Sequence, residues 1–177
     1  MPPEILDSRI ALETPWLRLR MERLRLGDGM EIEYGFIERP RYAIVAAVED
    51  GAVWMVEQYR HPLEARSWEL PMGVACGPDT PIAEAAAMEL REETGLSAQR
   101  MAYVGEIAPA PALLRQTGAL FLATGLTRGA QALEATEQDL VARSWPLEEA
   151  LAAICDGRIR DGATVASFGM LRLKGLI

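Results

Sequence analysis

The sequence predicts a mixed α/β fold of the α+β kind, in which sheets carry a few interspersed helices. Three observations lead there. Strand-type patterns fill most of the first third. Helix-type segments are confined to one central stretch and two near the end. No regular strand–helix alternation runs through the chain, so a purely parallel βαβ design is disfavoured.

The elements follow in order. From Trp16 to Leu26, Leu17, Leu19 and Met21 share one parity and Leu24 and Leu26 take the other. That flip near Glu22–Arg23 predicts a bulge, or a strand serving two surfaces. Gly27–Gly29 is a turn. Met30, Ile32, Tyr34 and Phe36 alternate with polar Glu31 and Glu33, a half-buried strand. "YAIVAAV" is apolar throughout, as in a central strand, and Glu49–Ala52 is a hairpin turn leading into its partner "VWMVEQYR". "MAYVGEI", "ALFLAT" and the shorter "VARSW" complete the strands. "PLEEALAAICDG" predicts a helix from Pro146 to Gly157, and "DGATVASFGMLRLKG" one from Asp161 to about Gly175.

The central helix lies within "ELPMGVACGPDTPIAEAAAMELREETGL". Thr80 is suited to cap it, Pro81 to occupy its first turn, and Gly95 to end it in the left-handed region. Ala83, Ala85, Ala86, Ala87 and Leu90 supply helix propensity and a flat apolar face. Glu89 and Glu93 then lie one turn apart on one side, with Glu92 beside them and Arg91 on the far side. An isolated pattern of this kind reads as a solvated acidic face. Here Glu92 and Glu93 fall in the last turn, where the helix dipole disfavours negative charge. A cation among them offsets that cost, and hard oxygen ligands suit Mg²⁺ or Mn²⁺.

Composition narrows the alternatives. The 177 residues carry a net charge of −8. Such a surface disfavours nucleic acid, whose binding needs clustered Lys and Arg. His61 and Lys174 are the sole histidine and lysine. No GxSxG surrounds a serine, and no Gly-rich loop precedes Lys174, so a serine triad and a P-loop are both disfavoured. Cys76 and Cys155 have no metal spacing and read as reduced, packing thiols. No apolar run is long enough to span a bilayer, and the first residues lack the plan of a signal peptide. A cytoplasmic protein that engages no membrane is the expectation.

The central stretch resembles the Nudix box, G-x5-E-x7-R-E-U-x-E-E-x-G-U with U aliphatic. Its second half, "ELREETGL", matches at Glu89, Leu90, Glu92, Glu93, Gly95 and Leu96. "VEQYRHPLEARSWELPMG" and "WPLEEALAAICDGRIRDGATVASFGML" resemble the ADP-ribose pyrophosphatase branch. The resemblance covers about residues 14–173. It implies an α/β/α sandwich around mixed sheets, with residues 1–40 forming an N-terminal antiparallel sheet and 41–177 the catalytic domain. It further implies a homodimer joined through the N-terminal sheet.

The resemblance also implies roles. Glu89, Glu92 and Glu93 hold Mg²⁺ or Mn²⁺ with the carbonyl of Met72, and Arg60 meets substrate phosphates. Trp16 and Tyr34 match an aromatic pair that clamps adenine, although aromatic residues on strands equally serve packing. Glu137, in an acidic loop, matches the catalytic base, with Gln138 at the strict alignment. Catalysis falls to Glu92, Glu93 and Glu137, acting on a small nucleotide-sugar substrate such as ADP-ribose. Met88 replaces the box arginine, Asp79 stands for the first box glutamate, and one extra residue follows it. Arg66 and Arg91 are the candidates to supply the missing guanidinium. These departures leave open a second reading, a nucleotide-sugar sensor with the fold but little or no chemistry.

Overall fold

The computed structural model describes residues 1–74, 80–133 and 138–177. The chain folds as two compact units, Met1–Pro40 with Ala108–Thr117, and Arg41–Ile107 with Gly118–Ile177.

The first unit is a four-stranded sheet. It contains β1 (Glu4–Glu13), β2 (Arg18–Arg25), β3 (Glu31–Glu38) and a short strand, Leu114–Arg115, here β9 by its place in the chain. The order is β1-β2-β3-β9, antiparallel except where β9 runs parallel to β3. The parity flip in β2 has a different origin from a bulge in that strand. β2 pairs with β3 without interruption, and the register shifts lie in its pairing with β1, between Ile5 and Asp7 and between Ile10 and Leu12. β2 instead serves two surfaces. Glu22 and Leu24 are buried on one, with Phe36 of β3, while Leu19 and Met21 are half-buried on the other. Arg115 stacks its guanidinium 4.3 Å from the Phe36 ring centroid and bonds Glu38 at 2.8 Å. Arg20 and Arg115 together hold the Glu38 carboxyl below its ordinary pKa, the Arg20 hydrogen bond contributing most.

The second unit is built on β4 (Tyr42–Glu49) and β5 (Ala52–Arg60). Asp50 and Gly51 both have left-handed φ, +50° and +72°, as a tight hairpin turn requires. The remaining strands are β6 (Ala65–Glu69), β7 (Met72–Val74), β8 (Leu96–Ile107), β10 (Gly118–Arg128) and β11 (Val141–Pro146). The main order is β11-β5-β4-β10-β8, with β6 added to β5 and β7 to β4. β10 is parallel to β4 and antiparallel to β8, so the sheet is mixed.

Among the described residues three α-helices cover this sheet: α1 (Ile82–Thr94), α2 (Leu147–Cys155) and α3 (Gly162–Leu173). The continuous apolar run of β4 reflects burial on both faces. Ala43, Val45 and Ala47 pack with Ala85, Ala86 and Leu90 of α1. Tyr42, Ile44 and Ala46 share the opposite core with Ala150 and Ala153 of α2 and Phe168 and Leu171 of α3. The result is an α/β/α layering with a separate core on each side.

Helix α1 begins later than the sequence suggests. Pro81 is its N-cap, with an extended ψ of 134°, and no side chain caps it, so Thr80 does not play that part. Its C-terminus ends at Gly95 with φ 73°. β1 carries no periodic signal in the sequence because nearly all its residues are exposed and two register shifts break its alternation. β6, β7 and β9 are five, three and two residues long and carry little periodic signal. Cys155 is exposed rather than packed, and Cys76 lies outside the described residues.

Candidate active site

The segment from Glu69 to Gly73 is held at every residue. Glu69 ends β6 at only 3% exposure and takes the Arg60 guanidinium side-on, Nε donating to Oε1 at 2.9 Å and Nη2 to Oε2. Leu70 N donates to Thr164 Oγ1 at 3.0 Å, and Pro71 O accepts from Val45 N at 2.9 Å. Met72 N donates to Glu93 Oε2 at 3.0 Å. Gly73 lies against Glu89, and a Cβ there would fall on the Glu89 carboxylate. Glu89 and Glu93, one turn apart on α1, thus address adjacent residues of β7. The spacing expected of the helix is what brings them there.

Glu93 is 1% exposed, an unusual place for a carboxylate. Glu92 is half-buried, and its backbone carbonyl accepts from Ala132 N at 3.2 Å. Gln131 Nε2 donates to Glu93 O at 2.6 Å and Gly129 N to Gly95 O at 2.6 Å. The 129–132 stretch therefore satisfies carbonyls left open where α1 ends.

Arg60 is pushed above its already high pKa, first by the Glu69 hydrogen bond and then by the charges of Glu69, Glu93 and Asp161, against the opposing effect of burial. It remains a fixed cation. Glu69 takes Nε and Nη2, which leaves Nη1 free of that clasp on a side chain 37% exposed. A guanidinium oriented in this way is suited to receive an anion.

Of the two candidates to replace the box arginine, one is engaged elsewhere. Arg66 donates to Glu57 Oε2 at 2.9 Å and to Asp139 Oδ2 at 2.6 Å, and it also bonds the carbonyls of both residues. Its hydrogen bond, helped by the Tyr59 amide and by its charge, draws the Asp139 carboxyl below the ordinary range. Arg91 is exposed and forms no ion pair among the described residues. Met88 is half-buried. Asp79 and the base candidate Glu137 lie outside the described residues.

Trp16 and Tyr34 belong to the first unit. Trp16 precedes β2 in a turn where Thr14 Oγ1 accepts from the amides of Trp16 and Leu17, both at 3.2 Å, and the residue is 70% exposed. Tyr34 donates its hydroxyl to Ala112 O at 2.6 Å and is 38% exposed. They line different concavities. Trp16 lies with Arg18, Arg39 and Pro40, and Tyr34 with Leu24, Phe36 and Leu114, while Arg115 borders both.

The box pattern, its carboxylates against β7 and the α/β/α layering agree with a comparison of the whole chain. A family model described as NUDIX domain matches residues 38–166. The chain belongs to the Nudix hydrolase family. This Nudix chain is 33% identical over 150 residues to an ADP-ribose pyrophosphatase of Mycobacterium tuberculosis (strain ATCC 25618 / H37Rv), spanning 84% of the chain and 72% of that protein. It is 30% identical over 161 residues to a methanol dehydrogenase activator of Bacillus methanolicus, 89% and 86% of the respective lengths. Against an ADP-ribose pyrophosphatase of Bacillus subtilis (strain 168) the identity is 28% over 158 residues, 88% and 85%. Its fold matches the crystal structure of an ADP compounds hydrolase with a TM-score of 0.87 at 20% identity, covering 99% of this chain and 96% of that one.

Among the described residues no three His, Cys, Asp or Glu side chains gather as a ready-made cage. Glu89 and Glu93 nonetheless converge on Met72–Gly73, and Gly73 keeps space for a carboxylate where any side chain would displace it. Mg²⁺ is ordinarily held by one or two carboxylates, retained waters and substrate phosphates. The donors present fit that mode.

Proposed function

We propose that this Nudix hydrolase cleaves the diphosphate linkage of ADP-ribose or a related nucleoside diphosphate sugar, giving a nucleoside monophosphate and a sugar phosphate. The observation that carries this reading is the meeting of Glu93 and Glu89 with Met72–Gly73, electrostatically coupled to the clasped Arg60. The printed names of two relatives, ADP-ribose pyrophosphatase, support the substrate class.

In this reading Glu89, Glu92 and Glu93, with the Met72 carbonyl, hold Mg²⁺ or Mn²⁺. The ion, when bound, offsets diphosphate charge and lowers the pKa of the attacking water. Arg60 Nη1 binds a phosphate oxygen while Glu69 fixes the plane of the guanidinium. Glu137 accepts the proton of the attacking water, and Trp16 and Tyr34 engage the base. Residues 1–40 serve base binding and dimerisation, 41–177 carry the chemistry, and the enzyme works as a cytoplasmic homodimer without nucleic acid.

The test is incubation with ADP-ribose, with and without Mg²⁺, followed by chromatography for AMP. Metal-dependent AMP release is expected. Tight nucleotide binding with no AMP at any metal concentration would replace this reading with a nucleotide-sugar sensor, which Met88 at the box arginine position favours.

A further inference from the structure

We propose that Thr164, in the first turn of α3, is a positioning residue for the Glu93 carboxylate and acts through the backbone of Leu70–Met72. The inference rests on the metal-site reading above.

The path consists of two hydrogen bonds and one rigid residue. Thr164 Oγ1 accepts from Leu70 N at 3.0 Å across 94 positions of sequence. Two residues later, Met72 N donates to Glu93 Oε2 at 3.0 Å. Pro71 stands between them with its ring-fixed φ, and its carbonyl accepts from Val45 N at 2.9 Å. A displacement of Leu70 therefore passes to Met72 with little slack. Thr164 and Leu70 are 0% exposed and Glu93 1%, so no solvent is at hand to replace either bond.

Thr164 is itself well anchored. Its amide donates to Asp161 Oδ2 at 2.7 Å, the N-cap contact of α3. A helical hydroxyl ordinarily bonds back to its own helix, as Ser167 Oγ does to Ala163 O at 2.7 Å in this same α3. Thr164 instead receives a bond from a different element. Asp161 is also among the carboxylates acting on Arg60, so one turn of α3 supports both the carboxylate and the cationic side of the site.

The experiment compares Thr164→Val, which keeps the shape and loses the acceptor, with Thr164→Ser, which keeps it. Amide exchange is read at Leu70 and Met72 in metal-free protein, and Mn²⁺ affinity by electron paramagnetic resonance. In Thr164→Val both amides should exchange at least tenfold faster and Mn²⁺ affinity should fall about tenfold, with kcat lowered more than KM is raised. Thr164→Ser should restore all three to near the parent. Faster exchange at Leu70 alone, or unchanged Mn²⁺ affinity in a Thr164→Val protein that binds the ion, overturns the proposal. If the parent binds no Mn²⁺, the functional reading fails by itself, and the Met72 exchange arm still decides this one. Thr164→Ala takes the place of the valine variant should that variant not fold.

Discussion

Gly73→Ala should lower activity far more than stability. Gly73 is not among the left-handed glycines, so alanine meets no backbone strain there. Its Cβ would, however, lie 2.5 Å from Glu89 Oε2, where ordinary contact begins at 3.4 Å. The carboxylate must retreat by about 1 Å, a misplacement that costs on the order of a hundredfold in rate. A hundredfold corresponds to about 2.7 kcal/mol in the barrier. The structural cost is smaller, because the displaced atoms end a flexible side chain. An off-rotamer glutamate costs about 0.5–1.5 kcal/mol, and at roughly 2–4 °C per kcal/mol for a chain of this size the melting temperature falls a few degrees. The assay is AMP release from ADP-ribose at saturating Mg²⁺, resolved into kcat and KM, beside a metal-free thermal melt. If Gly73→Ala holds kcat within threefold of the parent, Glu89 is not poised where the chemistry needs it, and the assignment of this face of α1 fails.

Other perturbations have equally definite outcomes. Glu93→Gln keeps an acceptor for Met72 N but removes a buried charge; kcat should drop about a hundredfold or more, while the metal-free melting temperature holds or rises, as a thermal melt will tell. Arg60→Lys cannot reproduce the side-on clasp on Glu69, so KM for ADP-ribose should rise about tenfold with a smaller loss in kcat, read from initial rates. Leu90→Ala, at 0% exposure between α1 and β4, should cost about 2–5 kcal/mol in urea unfolding. The Asp139 carboxyl is depressed by Arg66, so its contact with Arg66 contributes at all pH values above the ordinary Asp range, about 3.9, and is lost as pH falls through the lower folded value. Protection of the Tyr59 amide, whose N–H bonds Asp139, relative to its intrinsic exchange rate should therefore hold near neutrality and fall only in strong acid; protection lost as pH drops from 7 to 5 would contradict the assignment.

What could be read from sequence follows from where the signals lie. The run Tyr42–Val48 declared its two-sided burial because both faces needed apolar residues. The shared face of Glu89 and Glu93 was legible because helical spacing is local, and Glu92 and Glu93 stood out because their place in the last turn contradicts the dipole. β1 was not legible, since an exposed strand with two register shifts has no buried parity to display. Nor was Thr164, whose partner lies 94 positions away and whose type is ordinary near a helix start. The role of Glu69 is not legible in the sequence either, because only the fold shows its carboxylate against Arg60. Arg66 is the opposite case. Charge alone made it a candidate for the box guanidinium, and its geometry directs it to Glu57 and Asp139.

The short strand β9 bears on how this molecule is made. The β1–β3 meander leaves the ribosome before β4, but Arg115, which covers Phe36 and joins Glu38, follows that glutamate by 77 residues. The amino-terminal sheet thus waits for its fourth member until β4 to β8 have been synthesised, and its exposed edge must be tolerated or shielded meanwhile. Excising the first forty residues would strand β9 as an orphan graft in the remainder, so the natural unit of transplantation comprises both pieces of chain.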